Sequence, residues 1–129
     1  MLKPLLHQLG YDELDELGIQ DNIKKYSLPG NALLIYEVEN KIVGFIALHI
    51  FDSFHSAGQI GRITAFCVDE EYRSKGIGIQ LLQQGENFFI EHKCIKIEVT
   101  SNNRRTAAHA FYLNRGYVED SRKFVRYIR

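Results

Sequence analysis

The chain has 129 residues, of which 45% are hydrophobic and 25% are charged, a balance typical of one soluble globular domain. Lys and Arg number 16 and Asp and Glu number 16, and a net charge of zero argues against nucleic acid or an anionic membrane as the main partner. No stretch approaches the roughly 20 apolar residues of a membrane helix, and residues 1–17 do not have the form of a secretory signal. We therefore expect a single cytoplasmic domain, residues 1–129.

The first part of the chain is predicted to be helical. Over residues 2–26, apolar side chains recur at near-helical spacing with acidic residues between them. Gly10 is expected to divide this segment into two helices, with Asp12 as a candidate N-cap of the second. The Pro-Gly-Asn sequence at 29–31 predicts a turn.

An α/β pattern follows that turn. Strands are predicted at 32–39, 41–50, 60–68 and 95–99, and helices at 77–92 and 105–114. The first two strands have a tight connection and should form an antiparallel hairpin, whereas the last two are joined through a helix and should be parallel. Gly116 is predicted to end the last helix, and residues 117–128 to add one more strand or hairpin.

Neither the cysteines nor the histidines have the spacing of a metal site. Cys67 and Cys94 lie in separate apolar stretches and are expected to be reduced core thiols. Asp52, His49 and His55 could together hold a metal ion, but such spacing is ordinary in a loop, and we predict no metal.

The segment with the clearest chemistry is 68–79, a strand end, a short basic loop and a helix start. Arg73, Gly76 and Gly78 form the pattern R-x-x-G-x-G. Free N–H groups and the dipole at a helix N-terminus attract an anion, and glycine lets the backbone approach it closely. A pyrophosphate suits this geometry. The P-loop pattern is absent, and the dinucleotide pattern G-x-G-x-x-G has Leu81 in place of its third glycine.

Two motifs resemble the GNAT superfamily of acetyl-CoA-dependent N-acetyltransferases. Arg73-Ser74-Lys75-Gly76-Ile77-Gly78 is similar to its motif A, [QR]-x-x-G-x-[GA], and residues 108–117, AHAFYLNRGY, are similar to its motif B helix end. The resemblance implies an α/β fold with a mixed, mostly antiparallel, twisted sheet flanked by helices. The family usually opens with a strand, whereas this chain starts almost directly in helix, so its sheet is expected to lack that strand.

The same resemblance implies a site for acetyl-CoA, the cosubstrate. Backbone groups of one strand end would pair with the pantetheine arm, the helix start would hold the pyrophosphate, and the motif B aromatics would line the site. The cofactor-binding residues so implied are Phe66, Cys67, Val68, Arg73, Ser74, Lys75, Gly76, Ile77, Gly78, Ile79, Phe111 and Tyr112. Tyr112 would also be catalytic, as the acid that protonates the leaving thiolate. Many relatives hold the cofactor arm with an Asn seven residues before that tyrosine, and here the position is Arg105.

The base that deprotonates the amine is left open. The sequence is similar to aminoalkylphosphonate and aminoglycoside N-acetyltransferases, and aminoalkylphosphonate relatives place a glutamate where this chain has Ala65. His49 and His55 are the catalytic candidates nearest in sequence, because histidine exchanges protons in the physiological range, directly or through water.

The expected activity is transfer of acetyl from acetyl-CoA to a primary amine of a small molecule. Two alternatives stay open: acetylation of a protein N-terminus or lysine, and a non-catalytic acetyl-CoA sensor. A homodimer is expected, since the missing opening strand would leave a sheet edge bare, and bare edges invite pairing.

Overall fold

The computed structural model describes residues 2–8, 15–100 and 106–128. The described elements, in chain order, are α1 (Lys3–Gln8), α2 (Glu16–Lys25), β1 (Asn31–Val38), β2 (Lys41–Asp52), β3 (Gln59–Val68), a 3₁₀ turn (Glu70–Tyr72), α3 (Ile77–Glu91), β4 (Lys96–Val99) and α4 (Thr106–Asn114). The strands form one sheet in the order β1-β2-β3-β4, with β1 and β3 antiparallel to β2 and β4 parallel to β3. The predicted α/β class with a mostly antiparallel sheet is confirmed.

A two-residue turn joins β1 to β2. Val38 lies opposite Lys41, and the intervening Glu39 and Asn40 have φ values of 50° and 66°. Positive φ at both central residues is the requirement of the hairpin turn whose twist matches that of the strands. The predicted hairpin is therefore confirmed. In the described part of the chain no strand precedes β1, so β1 is one edge of the sheet, as expected.

The N-terminal helical segment is divided, as predicted. The α2 helix begins after Asp15, whose Oδ1 accepts a hydrogen bond of 2.8 Å from the Gly18 N–H. This is the usual N-cap arrangement. The proposed break at Gly10 and cap at Asp12 lie outside the described residues.

Helices cover both faces of the sheet. On one face Leu5 of α1 and Ile19 of α2 belong to the same core as Phe45 and Cys67. On the other face α3 packs its apolar stripe against β2, and the buried residues there are Val43, Ile46, Leu48, Ile50, Ile63, Ile77, Leu81, Leu82 and Phe89. The central strand β2 is thus buried on both sides, which accounts for its continuous apolar sequence.

The segment after α4 differs from the prediction. Gly116, with φ 93°, ends the helix as expected, and the Tyr117 N–H donates to the Tyr112 carbonyl at 3.0 Å. The predicted strand or hairpin over 117–128 is wrong, since that segment forms no strand. A hairpin here would need a tight turn, yet none of these residues has positive φ.

Candidate active site

A bulge at Thr64 divides β3 into two parts. Ala47 lies opposite Ala65 and Leu48 opposite Ile63, so Thr64 is an extra residue on β3. Residues 60–63 pair with β4, whereas 64–68 have no strand on that side in the described part of the chain. Because a bulge bends its strand and increases the local twist, it provides a physical reason for the two parallel strands to separate at this point.

The separation exposes backbone groups of alternate residues. The Asp69 N–H donates to the Val43 carbonyl at 2.7 Å, and in an antiparallel ladder hydrogen-bonded pairs recur at every second residue. Cys67, opposite Phe45, therefore directs its N–H and C=O toward β2. The backbone groups of Phe66 and Val68 point the other way, toward the open edge of β3.

The loop after β3 is shaped by Arg73 and by two residues with positive φ. The Arg73 Nε donates to the Val68 carbonyl at 3.0 Å, which ties the loop to the strand end. Ser74 has φ 64° and Gly76 has φ 81°, and Gly76 is the N-cap of α3 without a side-chain cap. In the first hydrogen bond of α3 the Gln80 N–H donates to the Gly76 carbonyl. The N–H groups of residues 77–79 therefore have no acceptor within the helix.

The two motif glycines have different surroundings. A Cβ added at Gly76 would meet nothing within 4 Å, and only the left-handed backbone restricts that position. A Cβ at Gly78 would lie 3.8–3.9 Å from Phe66, Val68 and Phe111, which is ordinary contact. Gly78 thus faces the apolar interior, where the Phe66 and Phe111 rings lie 5.9 Å apart, and Gly76 faces outward.

Two tyrosines lie near each other at the end of α4. The ring of Tyr112 is 5.6 Å from that of Tyr117, whose hydroxyl donates to Glu86 on α3 at 2.9 Å. Burial, and secondarily the hydrogen bond to Glu86, raises the pKa of Tyr117 above its usual value. The Tyr117 hydroxyl is therefore held in a hydrogen bond that links the end of α4 to α3. Because that hydroxyl is engaged, Tyr112 is the better candidate for proton transfer.

His49 belongs to a hydrogen-bonded chain whose proton positions can be deduced. The Asn31 Nδ2 donates to the Lys25 carbonyl at 3.0 Å, so the Asn31 Oδ1 faces the His49 Nδ1, 2.5 Å away. Since Oδ1 can only accept, Nδ1 carries the proton and the lone pair of the neutral ring is on Nε2. The half-buried ring stacks on Phe51 with centroids 5.7 Å apart. His49 is therefore held in the tautomer that a proton acceptor needs at Nε2.

The two candidate histidines are not brought together. His49 lies opposite Arg62, four residues before Phe66 on β3. His55 is exposed in the loop between β2 and β3, where its ring meets Ser53 at 3.3 Å. Since β3 rises about 3.3 Å per residue, that loop is roughly 30 Å from Val68.

Sequence reasoning did not identify the polar pair between His49 and the open edge. The Thr64 Oγ1 lies 2.6 Å from the Tyr26 hydroxyl and 3.4 Å from the Ala47 carbonyl. The only sequence signal was a threonine in a mainly apolar strand, which is too common to indicate a bulge.

A charged cluster borders this face of the sheet. The Arg62 guanidinium lies 4.6 Å from the Phe51 ring centroid and donates to Glu98 on β4 at 2.8 Å, and Lys96 lies 3.2 Å from the same carboxylate. The hydrogen bond from Arg62, and secondarily that from Lys96, lowers the pKa of Glu98. This carboxylate therefore stays charged and paired at neutral pH.

Two classes of feature are absent from the part of the chain that the structure describes. No group of three or more His, Cys, Asp or Glu residues is placed to hold a metal ion. None of the described helices is long and apolar enough to cross a membrane. Cys67 and Cys94 form no disulfide with each other, and Cys67 is buried whereas Cys94 is partly exposed.

Comparison with known proteins identifies the family. Residues 4–117 match the model of the Acetyltransferase (GNAT) family. The chain is 31% identical to an aminoalkylphosphonate N-acetyltransferase of Salmonella typhimurium, over 95% of this chain and 80% of that protein. It therefore belongs to the GNAT family, as its two motifs indicated, and it is an acyltransferase enzyme.

Solved structures agree with this assignment. A GNAT family acetyltransferase of Staphylococcus aureus is 29% identical, with a TM-score of 0.81 over 98% of this chain and 87% of that one. An aminoglycoside acetyltransferase from an uncultured soil metagenomic sample has the same fold, with a TM-score of 0.85 at 19% identity over 99% and 86% of the two chains.

Proposed function

We propose that this enzyme transfers the acetyl group of acetyl-CoA to a primary amine of a small molecule. The observation that carries the proposal is the continuity of the open β3 edge with the uncapped start of α3. The Phe66 N–H and C=O and the Val68 N–H have no strand partner on that side, and the loop that follows Val68 ends at Gly76, where α3 begins. An elongated ligand with amides at one end and phosphates at the other matches this sequence of groups.

The phosphate end of the proposed site rests on charge and backbone geometry. The N–H groups of residues 77–79 and the positive end of the α3 dipole would face the pyrophosphate. Ser74 and Lys75 lie in the preceding loop, and the Lys75 Nζ is 5.3 Å from the Tyr72 ring centroid. Arg73 would act mainly by holding the loop against Val68, because its Nε is already engaged there.

The amide end would use Phe66 and Val68. The Val68 N–H and the Phe66 carbonyl would pair with the pantetheine arm as a neighbouring strand does. The Phe66 N–H would meet the thioester carbonyl oxygen, where negative charge develops as the amine attacks. Cys67 contributes only its side chain to the opposite core, since its backbone faces β2.

Proton transfer completes the proposed reaction. The amine nitrogen forms a bond to the carbonyl carbon, the carbon–sulfur bond breaks, and the Tyr112 hydroxyl gives its proton to the departing thiolate. The proton lost by the amine would pass through water to the His49 Nε2. Thr64 and Tyr26 lie between His49 and the open edge and could hydrogen-bond such water. His55 is omitted, because it lies beyond the far end of β3.

The acceptor is proposed to be small because two of the proteins that this chain resembles are named for small amines. The Salmonella relative is by name an aminoalkylphosphonate N-acetyltransferase, and the metagenomic fold neighbour is an aminoglycoside acetyltransferase. We further propose a homodimer, since β1 is a bare edge in the described sheet, and a cytoplasmic location.

Release of free CoA thiol from acetyl-CoA tests the proposal. The purified protein should be assayed against aminoalkylphosphonates, aminoglycosides, polyamines, and peptides with a free N-terminus or lysine. Turnover with a small amine and none with peptides is expected. Turnover only with peptides would make the protein an acetyltransferase of proteins. Binding of acetyl-CoA without turnover on any amine would favour a sensor.

A further inference from the structure

A row of polar side chains crosses the sheet on the face that α1 and α2 cover in part. Each described strand contributes one residue, and neighbours in the row lie opposite each other: Asn31, His49, Arg62 and Glu98. Ile63 belongs to the core under α3, and because side chains alternate along a strand, Arg62 and its row face the other way. This polar row therefore places a guanidinium beside the candidate base His49.

The polar row is continuous with the open edge of β3. Thr64, the extra residue of the bulge, lies between the two on the same face and is exposed. On the other face the Phe66 ring packs against that of Phe111 on α4, with Gly78 of α3 close to both. Since α3 and α4 occupy that side, an amine would approach a thioester at the Phe66 N–H from the face that carries the polar row.

Arg62 is held in place on two sides. Its guanidinium lies 4.6 Å from the Phe51 ring centroid, and its Nη2 donates to the Glu98 Oε1 at 2.8 Å. A guanidinium has five N–H donors, and in the described part of the chain only this one has an acceptor. The side chain is 46% exposed. A fixed planar fork with open donors is suited to binding a carboxylate or phosphonate at two points.

The charges beside Arg62 do not balance. The Lys96 Nζ lies 3.2 Å from the Glu98 carboxylate, so two cations share one anion and the cluster keeps a positive charge. Asp52, the acidic residue that ends β2, is three pairs further from the open edge and on the α3 face. A structural ion pair needs one cation, whereas the excess charge here would attract an anionic ligand.

We propose that Arg62 determines specificity by binding an acidic group, a carboxylate or a phosphonate, at the end of the acceptor remote from its amine. The proposal rests on the N-acetyltransferase function proposed above and narrows its acceptors to one class. That class is amines whose chain carries an anion at the opposite end.

The position of Arg62 sets the length of this acceptor. Phe66 is four residues further along β3, and with a rise of about 3.3 Å per residue and one residue in the bulge the span is about 10–13 Å. The guanidinium leans on Phe51, which is further from Phe66 than Arg62 is, so the side chain does not shorten the span. An extended chain advances about 1.2 Å per bond, so roughly 8–11 bonds should separate the amine from the acid.

Matched pairs of acceptors test the subsite. Turnover of acetyl-CoA is measured with ω-amino acids of three to about eleven carbons and with ω-amino alcohols of the same lengths. The readout is the ratio of kcat/KM for the acid to kcat/KM for the alcohol, which isolates the contribution of the anion. In the parent this ratio should be near one for the shortest pair and rise about tenfold or more at about 8–11 carbons. The same series with ω-aminoalkylphosphonates shows which acid Arg62 prefers.

Three substitutions show where the anion binds. Arg62→Gln should lower the ratio for the long acids by about 10- to 100-fold, as expected for loss of a charge-assisted hydrogen bond. Glu98→Gln should raise it several-fold, because it removes a carboxylate that repels the incoming acid and occupies a donor of Arg62. Lys93→Gln is the control for overall charge. It removes one positive charge just after α3, on the other face of the sheet, and should leave the ratio unchanged.

Opposite effects of Arg62→Gln and Glu98→Gln would support the proposal, since losing either partner of a purely structural ion pair would lower stability without changing the ratio. An unchanged ratio in Glu98→Gln would overturn it even if Arg62→Gln did not fold. A parental ratio near one at every length, or an equal fall in Arg62→Gln and Lys93→Gln, would overturn the anion subsite and leave the proposed acetyl transfer standing. A ratio highest for the shortest acid would overturn the proposed span. No turnover of any amine would overturn both proposals.

Discussion

The two halves of β3 lie in one sheet and are both apolar, yet they have different neighbours. Residues 60–63 pair with β2 on one side and β4 on the other, whereas residues 64–68 pair with β2 alone in the described structure. Both halves pack on the α3 side of the sheet, through Ile63 in the first half and Phe66 and Val68 in the second. On the other side, Ala65 and Cys67 of the second half pack with α1 and α2. The difference shows how one extra residue, Thr64, can turn the second half of a central strand into an edge that is open to a ligand.

The largest expected effect is at the glycine where the open half of β3 leads into α3. Gly76→Val should force the backbone out of its left-handed conformation and misalign the N–H groups that follow. Loss of two hydrogen bonds to a charged group, each worth about 1.5 kcal/mol, corresponds to roughly 100-fold weaker acetyl-CoA binding. Calorimetric titration measures this loss.

Gly116→Val is the matched control for Gly76→Val. Gly116 has φ 93°, and a Cβ added there would meet nothing within 4 Å, as at Gly76. Gly116→Val and Gly76→Val should each lower the free energy of unfolding by about 1–2 kcal/mol. If both variants weaken acetyl-CoA binding equally, Gly76 acts only through stability.

Tyr112→Phe should reduce kcat by about 100-fold, the lower end for general acid catalysis, and leave acetyl-CoA affinity unchanged. The help of a proton donor is realised mainly in the transition state, so the effect should be absent from ground-state binding. Tyr117→Phe is the comparison, because it removes the bond to Glu86 and should lower stability. Unchanged kcat with a lowered melting temperature in Tyr112→Phe would make Tyr112 a structural residue.

Amide hydrogen exchange compares the two halves of β3 directly. In the protein without ligand, the N–H groups of Phe66 and Val68 should exchange faster than those of Cys67 and Asp69, which face β2. Saturating acetyl-CoA should slow Phe66 and Val68 by about tenfold or more, as a new backbone partner stabilises them. If acetyl-CoA slowed exchange of the Cys67 N–H and not of the Phe66 N–H, the assignment of Phe66 to the open edge and Cys67 to β2 would be contradicted.

His49→Ala should lower the rate several-fold near neutral pH and less at high pH, where more of the amine is already unprotonated. Asn31→Ala should give a weaker version of the same pH profile, since Asn31 holds the proton on His49 Nδ1. His55→Ala serves as the control and should match the parent. If His49→Ala and the parent have equal rates at every pH, solvent water is the base.

The smallest effect is expected at Glu98 of β4, which lies opposite Arg62 in the fully paired half of β3. The pKa of Glu98 is lowered in the folded protein, so its bonds to Arg62 and Lys96 stabilise the fold at neutral pH and cease to do so as the pH falls through that pKa. Glu98→Gln should reduce the free energy of unfolding by less than about 1 kcal/mol at pH 7, because the pair is partly solvent-exposed. Denaturant unfolding at pH 3 should show a smaller difference between variant and parent than at pH 7.

Local patterns were sufficient for much of the fold. Apolar, β-branched and aromatic runs predicted the four described strands, and helical apolar spacing and motif B predicted α3 and α4, with bounds within two residues of those in the structure. The motif at residues 73–78 and the helix end at 108–117 were sufficient for the family. These features depend on neighbouring residues in the chain, because caps, turns and glycine conformations are decided within a few bonds.

Other properties of the site depend on residues distant in sequence. The bulge at Thr64 exists only relative to the register of β2, and that register directs Phe66 and Val68 to the open edge and Cys67 away from it. The tautomer of His49 depends on Asn31 and Lys25, which approach it only when β1 pairs with β2.

The sequence by itself determined most of the elements, the family and the glycine-containing start of α3, because each is a property of a continuous segment. The tertiary structure alone decided which backbone groups of β3 are open, which histidine is held in one tautomer, and that residues 118–128 form no strand with the described residues. These outcomes follow from pairing between strands, and a pairing partner is not specified by the local pattern of either strand.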